Sequence, residues 1–158
     1  MNFTTFSFRF AEEVLNSKMG IKREIEDAIK SIHPATREEL NAEFRNKLTP
    51  RGWQTEVRLF DDSDVMAKVD FLKERVAMEV AFSHSSFIGI DLLKFQVMSY
   101  SNPELNKIDV GVYVVASNDF HKKYFPKTGG SVTFEKVVKY LPHFRSAIQV
   151  PVWVIGLV

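Results

Sequence analysis

The sequence predicts one α/β domain built on a mixed sheet. Three patterns point there. Isoleucines recur at near-helical spacing in the N-terminal third. Short apolar runs separated by turn residues fill the middle. Helical and β-branched segments then alternate to the last residue. A length of 158 residues suits a single unit, with a helical N-terminal part over 1–50 and a core over 51–158.

Each element has its own signal. Ile21, Ile25, Ile29 and Ile32 stand close to four apart with charges between them, which predicts an amphipathic helix stopped at Pro34. ATREELNAEFRNKL, 35–48, puts Leu40, Phe44 and Leu48 on one face of a second helix, and TPRG at 49–52 breaks it. WQTEVRLF alternates in part and reads as a first strand, closed by a turn in DDSD at 61–64. The runs 65–72 and 75–82 read as a hairpin joined through Lys73 and Glu74, followed by a loop in SHSS at 83–86. GIDLLKFQVMSY, 89–100, reads as a helix and SNPELNK as a loop. IDVGVYVVA, 108–116, is apolar throughout and β-branched, as a central strand must be. A loop over 117–131, a helix over 133–144 ending near Pro142, and a strand over 150–158 complete the chain. The order gives an antiparallel three-strand meander, then strands returned by helical crossovers.

Composition narrows the function. The chain is 45% hydrophobic and 26% charged, the balance of a soluble globular protein, and its 14 phenylalanines supply much of the core. A net charge of +1 announces no polyanion partner, although 21 basic and 20 acidic residues can separate into patches. The absence of cysteine excludes disulfides, thiolate metal sites and cysteine nucleophiles, and suits the cytoplasm. MNFTTFSFRFAEEV has no basic stretch leading into an apolar run, and no apolar run nears the roughly 18 residues of a membrane span. Cytoplasmic location and no membrane partner are therefore expected. Walker-type loops, GxGxxG and GxSxG are missing, and His33, His84, His121 and His143 lack the HExxH spacing of a zinc hydrolase.

The hairpin carries the chemistry. With its turn at Lys73–Glu74, residue 72 faces 75, 70 faces 77 and 68 faces 79. Alternation puts Lys68, Asp70, Ala77, Glu79 and Ala81 on one face. Val69, Phe71, Val76, Met78, Val80 and Phe82 form a core face on the other. Asp70 and Glu79 become diagonal neighbours, about 7–8 Å apart at the backbone. Their carboxylates can converge on one cation. A hard ion such as Mg²⁺ takes one or two carboxylates together with water and phosphate oxygens, and it can activate a bound water. The same residues also suit a solvated polar face on which Lys68 pairs with Glu79.

VDFLKERVAMEVAF, the helix IDLLKF and the strand IDVGVYVV together resemble the catalytic core of the PD-(D/E)XK nucleases, in particular the BglII-type restriction endonucleases. The likeness rests on Asp70, a gap of nine, and Glu79 in AMEV; it covers roughly 50–118, and the element order extends it to the whole chain. It implies a restriction-endonuclease-like fold and an endonuclease of the type II restriction kind, or a subunit of one. Asp70, Glu79 and the Val80 carbonyl would hold Mg²⁺, with Mn²⁺ as a substitute. The partner would be double-stranded DNA, cut by a homodimer or a heterodimer. Glu56, on the element before the hairpin, falls where related nucleases place another acidic or polar site residue; it also suits an exposed strand residue paired with Arg58. The two helices over 21–32 and 35–48 are candidate dimer elements, and the chain is short for the BglII branch.

One position departs from the family. The third motif residue is usually lysine, and glutamine or glutamate in the BglII and BamHI branches; here it is Ala81, which can neither orient nor deprotonate a water. Three accounts compete. Another residue reaches the same space: Lys94 on the next helix, Lys68 across the hairpin, or His84 past the strand. A second metal, or water alone, suffices. Or the domain has lost cleavage and only binds DNA or a partner protein. Lys94 is the first choice, because a long side chain behind the strand can extend to the acids, although it also suits an (i, i+3) pair with Asp91. Candidate DNA contacts are Ser83, His84 and Ser85 beside the acids, and Lys122, Lys123 and Lys127 in the 117–131 segment, the best candidate for base readout.

Overall fold

The apolar runs VGVYVVA and VWVIGL form the middle of a six-stranded sheet. The computed structural model describes every residue except 34–35, 62–63, 101–105 and 127–128. The elements are β1 (Phe3–Phe8), α1 (Ala11–Asn16), α2 (Met19–Ser31), α3 (Arg37–Leu48), β2 (Gln54–Arg58), β3 (Lys68–Lys73), β4 (Val76–Ala81), α4 (Ile88–Tyr100), β5 (Val110–Ala116), α5 (Asn118–Tyr124), α6 (Phe134–Tyr140) and β6 (Val152–Leu157). The sheet order is β1-β6-β5-β4-β3-β2. β4, β5 and β6 run parallel, and the remaining pairs are antiparallel. This is the mixed sheet with a leading meander that the sequence predicts. No helix among the described residues is long and apolar enough to cross a membrane.

β5 and β6 are buried along their whole length because helices cover both faces. On one side Ile21, Ile25 and Ile29 of α2 and Leu40, Phe44 and Leu48 of α3 pack on Met78, Val112 and Trp153. On the other, Leu92 and Phe95 of α4 and Val137 of α6 pack on Ala77, Tyr113 and Val154. The apolar stripes proposed as dimer elements are therefore taken up by the sheet. α3 starts with a capping box: Thr36 accepts from the Glu39 amide and Glu39 accepts from the Thr36 amide. α2 ends at Ser31; the expected stop at Pro34 lies outside the described residues. Gly111 lets α4 lie close to β5, since a Cβ there would stand 2.5 Å from Phe95 Cγ. Gly111→Ala is expected to cost about 2 kcal/mol through overpacking, read as a lower midpoint in thermal or urea unfolding.

Four expectations change. Residues 3–8 form an edge strand, not part of a helical segment, because Phe3–Phe8 pairs with β6 from Phe3↔Leu157 to Phe8↔Val152. The segment 117–131 is not all loop: Ser117 caps α5 by accepting from the Phe120 amide. The hairpin turns at Glu74–Arg75, with Lys73 opposite Val76. Both turn residues are left-handed, φ 46° and 65°, as a type I′ turn requires. Arg75 is fixed there by its bonds to Asp109, with Nε donating at 2.9 and 3.0 Å and Nη2 at 2.6 Å. Finally, Val69 belongs with the α4 side while Phe71 belongs with the α2 side, so strict alternation fails at Asp70.

Candidate active site

That failure builds the site. The β3–β4 ladder runs from Lys73↔Val76 to Phe71↔Met78 and stops. The next pair is Asp70 and Glu79, brought directly opposite by the corrected turn. Here side chains replace the ladder. The Asp70 amide donates to Glu79 Oε2 at 3.2 Å, and the Val80 amide donates to Asp70 Oδ2 at 2.8 Å. On the other flank of β3, Glu56 has φ 54°, and the β2–β3 register passes from Thr55↔Phe71 to Val57↔Val69. A left-handed residue in a strand disrupts its pairing locally. Asp70 therefore sits at a break in two ladders, and both carboxylates turn into the gap between β3 and β4.

α4 closes the gap from behind. Its Lys94 Nζ donates to Glu79 Oε1 at 2.6 Å and stands 3.2 Å from Asp91 Oδ1. Asp91 is only 5% exposed, and Tyr113 of β5 donates to its Oδ2 at 2.7 Å. A chain of polar contacts thus runs Tyr113–Asp91–Lys94–Glu79–Asp70. Burial, then the Asp70 charge, pushes Glu79 from 4.5 up to about 8. Burial also raises Asp70, against the pull of the Val80 amide. Burial works against the Lys94 charge, but the Glu79 and Asp91 carboxylates overcome it and hold its pKa above the usual range. Tyr113 is driven well above 10.0 by burial and by Asp91, so it is a neutral donor.

The two acids floor a cleft of about 390 Å³. Val80, Ala81, Ser83, Asp91 and Lys94 line it too, as do Arg37 and Asn41 of α3. Ala81 is buried and carries no polar group, and the Lys94 ammonium stands beside Glu79. Among the described residues no group of three His, Cys, Asp or Glu side chains is arranged to hold a metal. The donor set is two buried hard carboxylates, with the Asp70 charge raising the pKa of Glu79. That fits a Mg²⁺-type ion, which fills its shell with water and substrate oxygens; it does not fit a closed structural site.

Other expected site residues lie elsewhere. Glu56 does not line the cleft; its carboxylate meets Arg45 at 3.3 Å and Lys68 at 3.4 Å, not Arg58. That pairing also takes Lys68 away from Glu79. The His84 Nδ1 accepts from the Ser86 amide at 3.2 Å and caps the short turn Ser85–Phe87, while the Ser85 amide donates to Gly130 at 2.7 Å. On α5, Lys122 stands 3.9 Å from Asp119 and Lys123 lies 4.9 Å from the Tyr124 ring. Lys127 falls outside the described residues. Sequence reasoning missed Tyr113, Arg37 and Asn41. Asp91 was visible only as a helix-surface partner for Lys94.

Comparison with known proteins bears on this geometry. No curated protein matches the chain. A solved structure of restriction endonuclease BglII complexed with a DNA 16-mer matches it with a TM-score of 0.84 at 18% identity, covering 100% of this chain and 78% of that one. At that identity the likeness shows the fold. The family model for restriction endonuclease BglII/BglIII matches residues 3–157. The chain belongs to the BglII/BglIII restriction endonuclease family, and it is a DNA endonuclease, a hydrolase of the type II restriction class.

Proposed function

We propose that the chain hydrolyses phosphodiester bonds of double-stranded DNA with Mg²⁺ held by Asp70, Glu79 and the Val80 carbonyl, and that Lys94 takes the part left open by Ala81. One observation carries the reading: the Lys94 ammonium lies 2.6 Å from Glu79, in the cleft that Asp70 floors. When bound, the cation supplies an activated water and offsets the charge building on the phosphate. Asp70 and Glu79 fix its place. Lys94 has a raised pKa and stays protonated at neutral pH. It therefore acts as a donor that orients the attacking water and opposes phosphate charge, not as the base. Asp91, held by Tyr113, aims Lys94. Glu56 enters only as a charge near Asp70. The filled place beside Glu79 weighs against the alternative of a module that binds without cutting. One cleft takes one strand, so cutting both strands calls for two copies.

The test is plasmid cleavage. The protein is expected to nick and linearise plasmid DNA with Mg²⁺ or Mn²⁺ and to stop when EDTA is added. Undiminished cutting in EDTA would overturn the metal assignment.

A further inference from the structure

We propose that Arg37, assisted by Asn41, is the phosphate seat of the cleft: it grips the backbone of the strand being cut from the α3 side. The inference deepens the nuclease reading and rests on it. Arg37 and Asn41 are four apart in α3, so they share one helix face. Both line the cleft that Asp70 and Glu79 floor. The guanidinium is held in position rather than left to sample solvent. Its Nη2 donates to Ser131 Oγ at 3.0 Å, and it lies 5.1 Å from the centre of the Phe125 ring. Ser131 is itself buried and pairs with His84, just past β4. The seat is thereby tied to the strand that carries Glu79. A guanidinium presents its N–H donors in a planar fork, the geometry that phosphate oxygens match.

Charge favours the same assignment. The cleft's charged lining is three carboxylates, Asp70, Glu79 and Asp91, against two cations, Arg37 and Lys94. With a divalent cation bound and those groups ionised, the cleft carries one net positive charge for a phosphodiester to neutralise. Lys94 is already engaged with two carboxylates. Arg37 is the other lining cation, carried by α3 on the sheet face opposite α4, and Asn41 adds an amide donor.

The experiment is equilibrium binding of a fluorescent random-sequence duplex, with Ca²⁺ in place of Mg²⁺, across a salt series. Arg37→Ala is expected to weaken binding about tenfold and to flatten the slope of log affinity against log salt by about one. Arg37→Lys is expected to restore the slope and only part of the affinity. Unchanged affinity with Arg37→Ala overturns the proposal. So does weaker affinity with an unchanged slope, since that marks a residue that only holds Phe125 and Ser131. Plasmid cleavage by Asp70→Asn keeps the two readings apart. Wild-type cutting by that variant sinks the nuclease mechanism; an inactive Asp70→Asn beside an unaffected Arg37→Ala sinks this inference alone.

Discussion

Glu79→Gln is expected to lower plasmid cleavage at saturating Mg²⁺ by at least about 10³-fold, through loss of the charge that holds the cation. Its second signature is in stability. In the metal-free protein Glu79 is shifted upward from 4.5 to about 8. The folded state therefore prefers the protonated acid, and binds more protons than the unfolded chain between those values. Stability from this group is fully present below about 4.5 and is lost as pH rises towards 8. The midpoint of thermal unfolding should fall across that window in the wild type and fall less in Glu79→Gln. Mg²⁺ should stabilise the wild type more at the upper end of the window than at the lower, and the variant little at either. Identical pH profiles for the two proteins would remove Glu79 from the electrostatic centre of the cleft.

Lys94→Met carries the second large effect. It keeps the length and much of the apolar stem but deletes the ammonium. Cleavage should drop about 10²–10³-fold, the usual loss when one preorganised donor is removed from a charge-building site. Calorimetric Mn²⁺ binding should survive, because both carboxylates remain. Asp91→Asn keeps a polar partner for Tyr113 and weakens only the aim of the lysine, so a loss near tenfold is expected. Cleavage by Lys94→Met within about threefold of wild type would show that Ala81 is not compensated from α4.

Much of this site could be read in the sequence, for a definite reason. Asp70 and Glu79 sit in one hairpin, and Lys94 follows on the next helix, so short-range pattern and connectivity brought all three together. The register was set wrongly because ERV at 74–76 holds no glycine or asparagine to mark a type I′ turn. The error was two residues, an even number, so no hairpin side chain changed face through it. The break at Glu56 and Asp70 did move Val69, and nothing in QTEVR announces a left-handed glutamate. β1 was hidden because FTTFSF becomes a strand through β6, at the far end of the chain. Arg37 and Tyr113 reach the cleft and its relay through long-range packing alone. Their sequence neighbourhoods read as an ordinary charged helix and an ordinary apolar strand.

The carboxylates that fill the gap between β3 and β4 have a second duty. They serve as mortar, completing a sheet whose backbone bonding has ended. An ion held through Glu79 Oε2 or Asp70 Oδ2 shares those oxygens with the Asp70 and Val80 amides. Loading is then a competition between cation and sheet. Such a centre should exchange its ion freely with solution and tighten only when DNA phosphate brings oxygens of its own, so that the enzyme becomes fully assembled on the molecule it cuts.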